Sequence, residues 1–138
     1  MRVTRTGVTI PRHLIEELDQ LAKRLGVKSR SKLVSEAVAY YISKLKWYSP
    51  DETMHGAITI VYDHTRGDLA KRLIEVQHRV GDVVKVAVHL HLSEKMCLET
   101  ILVSGRGADI MRLVGELNEL PGVYYVDHSL ASSRVTIE

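Results

Sequence analysis

Residues 84–99 read Val84-Lys85-Val86-Ala87-Val88-His89-Leu90-His91-Leu92-Ser93-Glu94-Lys95-Met96-Cys97-Leu98-Glu99. Two alternating runs joined by three polar residues are the pattern of a β-hairpin. Every even position from Val84 to Leu92 is apolar, while Lys85, Ala87, His89 and His91 fill the odd ones. The next run keeps that parity, with Met96, Leu98 and Leu102 apolar and Cys97 and Glu99 odd. The even face is therefore expected against helices and the odd face away from them. For the two apolar sets to share a face, the numbers of paired residues must sum to an even value. A loop of Ser93, Glu94 and Lys95 achieves this, setting His91 opposite Cys97 and His89 opposite Glu99.

Outward from the hairpin, the chain alternates strand and helix. Strands are expected over 57–62, 83–92, 96–103 and 123–128, the last continuing to Ile137. One helix is expected to start with a capping box of Thr65 and Asp68. It carries Leu69, Leu73, Val76 and Val80 on one stripe and ends at Gly81. The other runs from about Gly107 through Ile110, Val114 and Leu117 to a stop at Pro121-Gly122. The order is βαββαβ, an α+β ferredoxin-like domain with helices on one sheet face and the second face open or covered by a partner.

Upstream, Trp47-Tyr48-Ser49-Pro50-Asp51-Glu52-Thr53 interrupts every periodicity. The expected domains are 1–48 and 55–138, with 49–54 as a linker too short to let them roam. Residues 1–50 carry ten Lys and Arg against four acids, a net of +6, and the remainder nine against thirteen, a net of −4. In the basic part Val3 to Ile10 alternates as a strand with Val8 and Ile10 inward. Pro11 opens a helix carrying Leu14, Leu18, Leu21 and Leu25 until Gly26, and Ser29 caps a second helix with a broad apolar stripe. One strand without a partner and some fifty residues make too small a core, so this module must dimerise. A basic strand-helix-helix dimer is a ribbon-helix-helix fold, whose two-stranded ribbon the DNA major groove admits. Arg5, Gly7 and Thr9 then face base edges. Arg30 and Ser31 at the start of the second helix face phosphate.

The chain of 138 residues is 45% apolar and 26% charged, an ordinary globular composition. No run approaches the roughly 20 apolar residues of a membrane span, and the first 20 residues do not read as a signal peptide. The single cysteine, Cys97, excludes an intrachain disulfide and suits a reducing cytoplasm. It is buried filler, nucleophile or metal ligand. Two imidazoles and a thiolate on one strand pair, His89, His91 and Cys97, suit zinc, copper or nickel and not calcium or magnesium. His78, in the last turn of a helix, is the candidate fourth ligand, and Glu99 a carboxylate that fixes an imidazole tautomer. His13, His55, His64 and His128 read as solvated histidines. An amino-acid sensor built on the same βαββαβ module and a metalloenzyme remain as rivals; the latter leaves the basic module unexplained.

Over both domains the chain resembles the nickel-responsive repressors of the NikR family, through Arg5-Thr6-Gly7-Val8-Thr9-Ile10-Pro11, Lys28-Ser29-Arg30-Ser31, and His78 with His89-Leu90-His91 and Cys97. The resemblance implies that the C-terminal domain is ACT-like and that four chains form two DNA-binding dimers around a central core. It implies one nickel(II) per chain, in a square plane of His89, His91, Cys97 and a partner's His78. It further implies repression of nickel-uptake genes by nickel-strengthened binding to double-stranded operator DNA, with no enzymatic activity, no small-molecule substrate and no membrane partner. Gly7 stands where a hydroxyl residue is common in the family. Lys32, beside Glu36, replaces an acid near an accessory cation site, so that site is not carried over.

Overall fold

The computed structural model describes residues 2–134, and the chain divides into two compact units, Met1–Ser43 and Lys44–Glu138. In the first, helix α1 (Arg12–Leu25) begins one residue later than the proline pattern suggests. Pro11 sits at the cap, its carbonyl accepting from the amides of Leu14 and Ile15. At the other end Gly26 takes a φ of 68°, which glycine adopts without a Cβ penalty. Its N–H donates to the Lys23 carbonyl, and that of Val27 to Ala22 at 2.9 Å, a Schellman closure. Helix α2 (Arg30–Leu45) starts behind Ser29, whose Oγ accepts from the Lys32 amide at 3.2 Å as its sequence position predicts.

Residues 3–10 form no ladder among the described residues. A strand needs a second extended segment to share its hydrogen bonds, and this unit's own chain offers one such segment and two helices. The unit is correspondingly short of core. Among its described residues only Leu33 is a buried hydrophobic, while Leu14, Val38, Tyr41 and Ile42 stand exposed. These four share an apolar groove of about 330 Å³ with Ile10, Leu18 and Val34. The amphipathic faces predicted from the leucine spacing are present and uncovered.

The second unit has the expected βαββαβ order: β1 (Thr53–Asp63), α3 (Leu69–Arg79), β2 (Val84–His91), β3 (Met96–Arg106), α4 (Gly107–Glu119) and β4 (Val123–Ser132). All strand pairs are antiparallel, in the ferredoxin-like order β2-β3-β1-β4. Leu69, Leu73 and Val76 of α3 and Ile110, Leu113, Val114 and Leu117 of α4 pack on Met54, Ile58 and Ile60 of β1 and Ile101 and Val103 of β3. The expected continuation of the last strand beyond residue 134 lies outside the described residues.

The hairpin register is the one derived from its loop length: His91 pairs with Cys97 and His89 with Glu99. The faces, however, are reversed. Cys97, Glu99, Ile101 and Val103 are buried beneath the helices, whereas Val86, Val88, Leu90, Leu92 and Leu102 lie on the open face, Val88 59% and Leu90 58% exposed. Alternation alone gives two faces without saying which one the helices cover. A β-bulge at Lys85 adds to the ambiguity, because the pairing shifts from Val84↔Val103 to Val86↔Leu102 and exchanges the faces within one strand. Val84 consequently packs on the core while Val86 does not.

One further local expectation is corrected. Thr65 and Asp68 form no capping box: Asp68 makes no side-chain cap bond, and Asp63 instead accepts from both the amide and Oγ of Thr65, at 2.9 and 2.6 Å. The first two hydrogen-bonding opportunities go to the nearer carboxylate, whose charge is fixed by these donors and held below its usual carboxyl range. Two carbonyls of residues 49–54 cap a helix of the second unit. The carbonyls of Pro50 and Glu52 accept from the free amides of Ala108 and Gly107 at the start of α4, each at 2.9 Å. Gly107 is required there, since a Cβ would lie 2.0 Å from the Ser49 carbonyl oxygen.

Candidate metal centre

The end of the β2–β3 hairpin carries the donor atoms. Cys97 is 3% exposed, paired across β3 with Tyr62 on one side and His91 on the other. Its Sγ lies 3.3 Å from His91 Nδ1. A third donor arrives from the end of β1. Asp63 is in register with Met96, and the next amide, that of His64, donates to the Lys95 carbonyl at 2.9 Å. The His64 imidazole therefore stands edge-on to His91, ring centroids 5.9 Å apart and planes at 81°. Ligand atoms of His64, His91 and Cys97 all fall within 4.8 Å of one another. One thiol and two imidazoles, without a carboxylate among them, match a borderline-soft transition ion such as nickel(II) and would leave calcium or magnesium without its oxygen donors.

Beside this group runs a buried polar cluster. Glu99 is 3% exposed; Oε1 accepts from Gln77 Nε2 of α3 at 3.0 Å, and Oε2 lies 3.6 Å from His89 Nδ1. The Tyr62 hydroxyl is 3.4 Å from the same nitrogen, and burial together with the neighbouring Glu99 carboxylate pushes its pKa up to about 12. Tyr62 is thus a neutral phenol at physiological pH. With Nδ1 of His89 turned toward a carboxylate and a phenol, Nε2 is the atom left to bind a cation, which is how outer carboxylates orient ligand imidazoles. Loss of that orientation sets the expected outcome for Glu99→Gln: nickel affinity falls by about 10–100-fold, measured by competition with a chromophoric chelator, while Gln77 and Tyr62 keep the cavity filled.

The structure brings His91 and Cys97 together and places His89 next to them on the same sheet face, its Nδ1 engaged by Glu99 and Tyr62. It does not bring His78 to the group: this residue is exposed in the last turn of α3. His64, read from sequence as a solvated side chain, is the residue that reading missed. Its signal was positional, one residue beyond the β1 end that pairs with the start of β3. His55, by contrast, is exposed and bonded to Ser104 at 2.8 Å.

In the first unit Arg5, Gly7 and Thr9 are exposed, as is Ser31. Arg30 is occupied: Nε and Nη2 make a fork on the Asp19 carboxylate at 2.9 and 2.6 Å, holding that carboxyl below its ordinary range. Both side chains are open to solvent, so the pair is screened and adds little to stability.

Comparison with known proteins follows the same division of the chain. Residues 55–131 match the NikR C terminal nickel binding domain, and residues 4–45 match the ribbon-helix-helix protein, copG family. A protein of Thermococcus onnurineus named "Putative nickel-responsive regulator" is 34% identical over 89% of this chain and 89% of its own length. Proteins of the same name from Dictyoglomus turgidum and Methanocaldococcus jannaschii are 36% and 35% identical, each over 91% of this chain and covering 93% and 90% of their own lengths. Among solved structures, an uncharacterized protein of Thermotoga maritima superposes with a TM-score of 0.52 at 21% identity, over 57% of this chain and 98% of its own, which is a likeness of fold. With a nickel-binding domain behind a ribbon-helix-helix domain and full-length relatives above 30% identity, the chain belongs to the family of nickel-responsive regulators.

Proposed function

We propose that this protein is a nickel(II)-dependent transcriptional repressor, acting in the cytoplasm on nickel-uptake genes, in which metal binding raises affinity for operator DNA. The observation that carries the reading is the juxtaposition of His91 and Cys97, with His89 oriented beside them by Glu99. In this reading His89, His91 and Cys97 of one chain hold the ion, and His78 of the partner subunit completes the set. Bound by these residues, nickel(II) would offset the thiolate charge and link imidazoles of two chains. The chain's own residues do the rest: Gln77 and Tyr62 hold Glu99 and His89, and the exposed His78 is available to a neighbour.

Assembly follows from uncovered apolar surface. The α1–α2 groove with Ile10, Val38 and Tyr41 fits a second copy, which also supplies the missing ladder for residues 3–10. The open sheet face, with Val88 and Leu90 exposed, fits another. Two dimers of the first kind joined by the second make a homotetramer. Its ribbon presents Arg5, Gly7 and Thr9 to the major groove, and Arg30 leaves Asp19 for a phosphate.

The test is selection of duplex DNA from a randomised pool by the nickel-loaded protein. A two-fold symmetric binder enriches an inverted repeat. Arg5→Ala then lowers affinity for it by about 1–3 kcal/mol per half-site with its affinity for unrelated DNA far less affected. Enrichment of no sequence, or equal losses on all sequences, would overturn the assignment of Arg5.

A further inference from the structure

The first unit holds an anion of its own against one of its cations. We propose that Asp19 is a built-in competitor for the DNA phosphate assigned to Arg30, and that it lowers the affinity of the protein for every duplex. The inference rests on the reading of the first unit as DNA-binding. Asp19 then tunes that binding without reaching a base.

Three observations support it. First, the Arg30 fork is filled as a phosphate would fill it. Nε and Nη2 donate to the two carboxylate oxygens of Asp19 at 2.9 and 2.6 Å, and a guanidinium takes carboxylate and phosphate alike through two parallel bonds. Second, the surroundings suit an anion. The turn between α1 and α2, closed by Gly26, opens a cleft of about 590 Å³ whose charged lining is Lys23, Lys28, Arg30 and one acid, Asp19. At the start of α2 the Lys32 and Leu33 amides are taken by Ser29, whereas those of Arg30 and Ser31 have no partner among the described residues. Third, the pair is open to water, the Arg30 side chain 58% and that of Asp19 41% exposed. Solvent and salt screen it, so an incoming phosphate meets a contact that costs little to open.

The exchange of one anion for another sets what Arg30 contributes. When a phosphate takes the fork, the Asp19 carboxylate loses its partner and stands beside the charge that displaced it. The phosphate contact carries no sequence information. Asp19 therefore weakens binding to operator and unrelated DNA alike, and leaves the choice between them to Arg5, Gly7 and Thr9.

The experiment uses the nickel-loaded full-length protein as wild type, Asp19→Asn, Arg30→Gln and the double variant, with far-UV circular dichroism confirming each fold. Binding to the selected operator and to an unrelated duplex is read by fluorescence anisotropy over a series of salt concentrations. An exposed ion pair is worth a factor of about 1.5–5 in an equilibrium constant and a DNA-binding dimer carries two, so Asp19→Asn is expected to tighten both complexes by about 2–30-fold. The slope of log affinity against log salt should steepen by about 0.9 for each chain in contact with DNA. In the Arg30→Gln background the same substitution should change little. Unchanged or weaker binding by Asp19→Asn, with wild type bound, overturns the proposal and makes the pair a structural brace. A gain that persists in full without Arg30 overturns it too, because net charge alone then accounts for the effect. If the wild type binds no duplex, the DNA-binding reading fails and the proposal falls with it.

Discussion

Replacing Cys97 by alanine is expected to lower nickel(II) affinity by more than about 100-fold, because losing a ligand costs more than the 10–100-fold typical of losing a ligand's partner. The thiolate is the softest donor on the sheet, and Sγ is the atom against which the His91 imidazole rests. Near-ultraviolet thiolate-to-nickel charge-transfer bands are expected in the wild type and should be absent from the variant. Stability should change little: Cys97 is buried beside Tyr62, and removal of one sulfur leaves a small cavity in a unit whose core is otherwise intact. An anaerobic absorbance titration followed by thermal denaturation separates the two effects. Retained affinity and retained bands would show that Cys97 is core filler.

An equally large effect is expected in the other unit from Val38→Glu. Val38 is 53% exposed in the single chain and lies in the α1–α2 groove between Leu14, Tyr41 and Ile42. If a second copy covers that groove, the substitution buries an unpaired carboxylate, a fault in the class that costs about 4 kcal/mol or more. That corresponds to roughly 1,000-fold in the association constant. Residues 3–10 would lose their ladder partner with the dimer, so operator binding should disappear even with nickel present. Sedimentation velocity and DNA binding are to be measured together. A dimer that survives Val38→Glu would mean that the groove faces solvent or a different partner.

Much of this was legible in the sequence, for reasons that can be named. The hairpin register followed from a three-residue loop, since the parity of the loop fixes which residues face each other across β2 and β3. The helix faces followed from leucine spacing and their ends from Gly26 and Ser29. What the sequence could not supply was which face of β2 the helices cover. Val86, Val88, Leu90 and Leu92 cover no core of the same chain whereas Val84 does, and the bulge at Lys85 hides this change of parity. His64 escaped for a related reason: its place beside His91 depends on how far the β1–β3 pairing extends, to Asp63 and Met96, and no residue pattern marks that limit. Gln77, which completes the Glu99 cluster, lies on the half-buried flank of α3 and carries no motif of its own. The pairing of residues 3–10 is absent from a single chain, and in the proposed dimer a second copy supplies it.

The measurement that bears most directly on the central claim is the affinity of the protein for its selected operator, read by fluorescence anisotropy with and without one equivalent of nickel(II) per chain. Coupling between two sites typically amounts to about 1–3 kcal/mol. The nickel-loaded protein should therefore bind roughly 5–150-fold more tightly than the metal-free one, and Cys97→Ala should erase the difference. Equal affinity in the two states, with nickel demonstrably bound, would contradict the account.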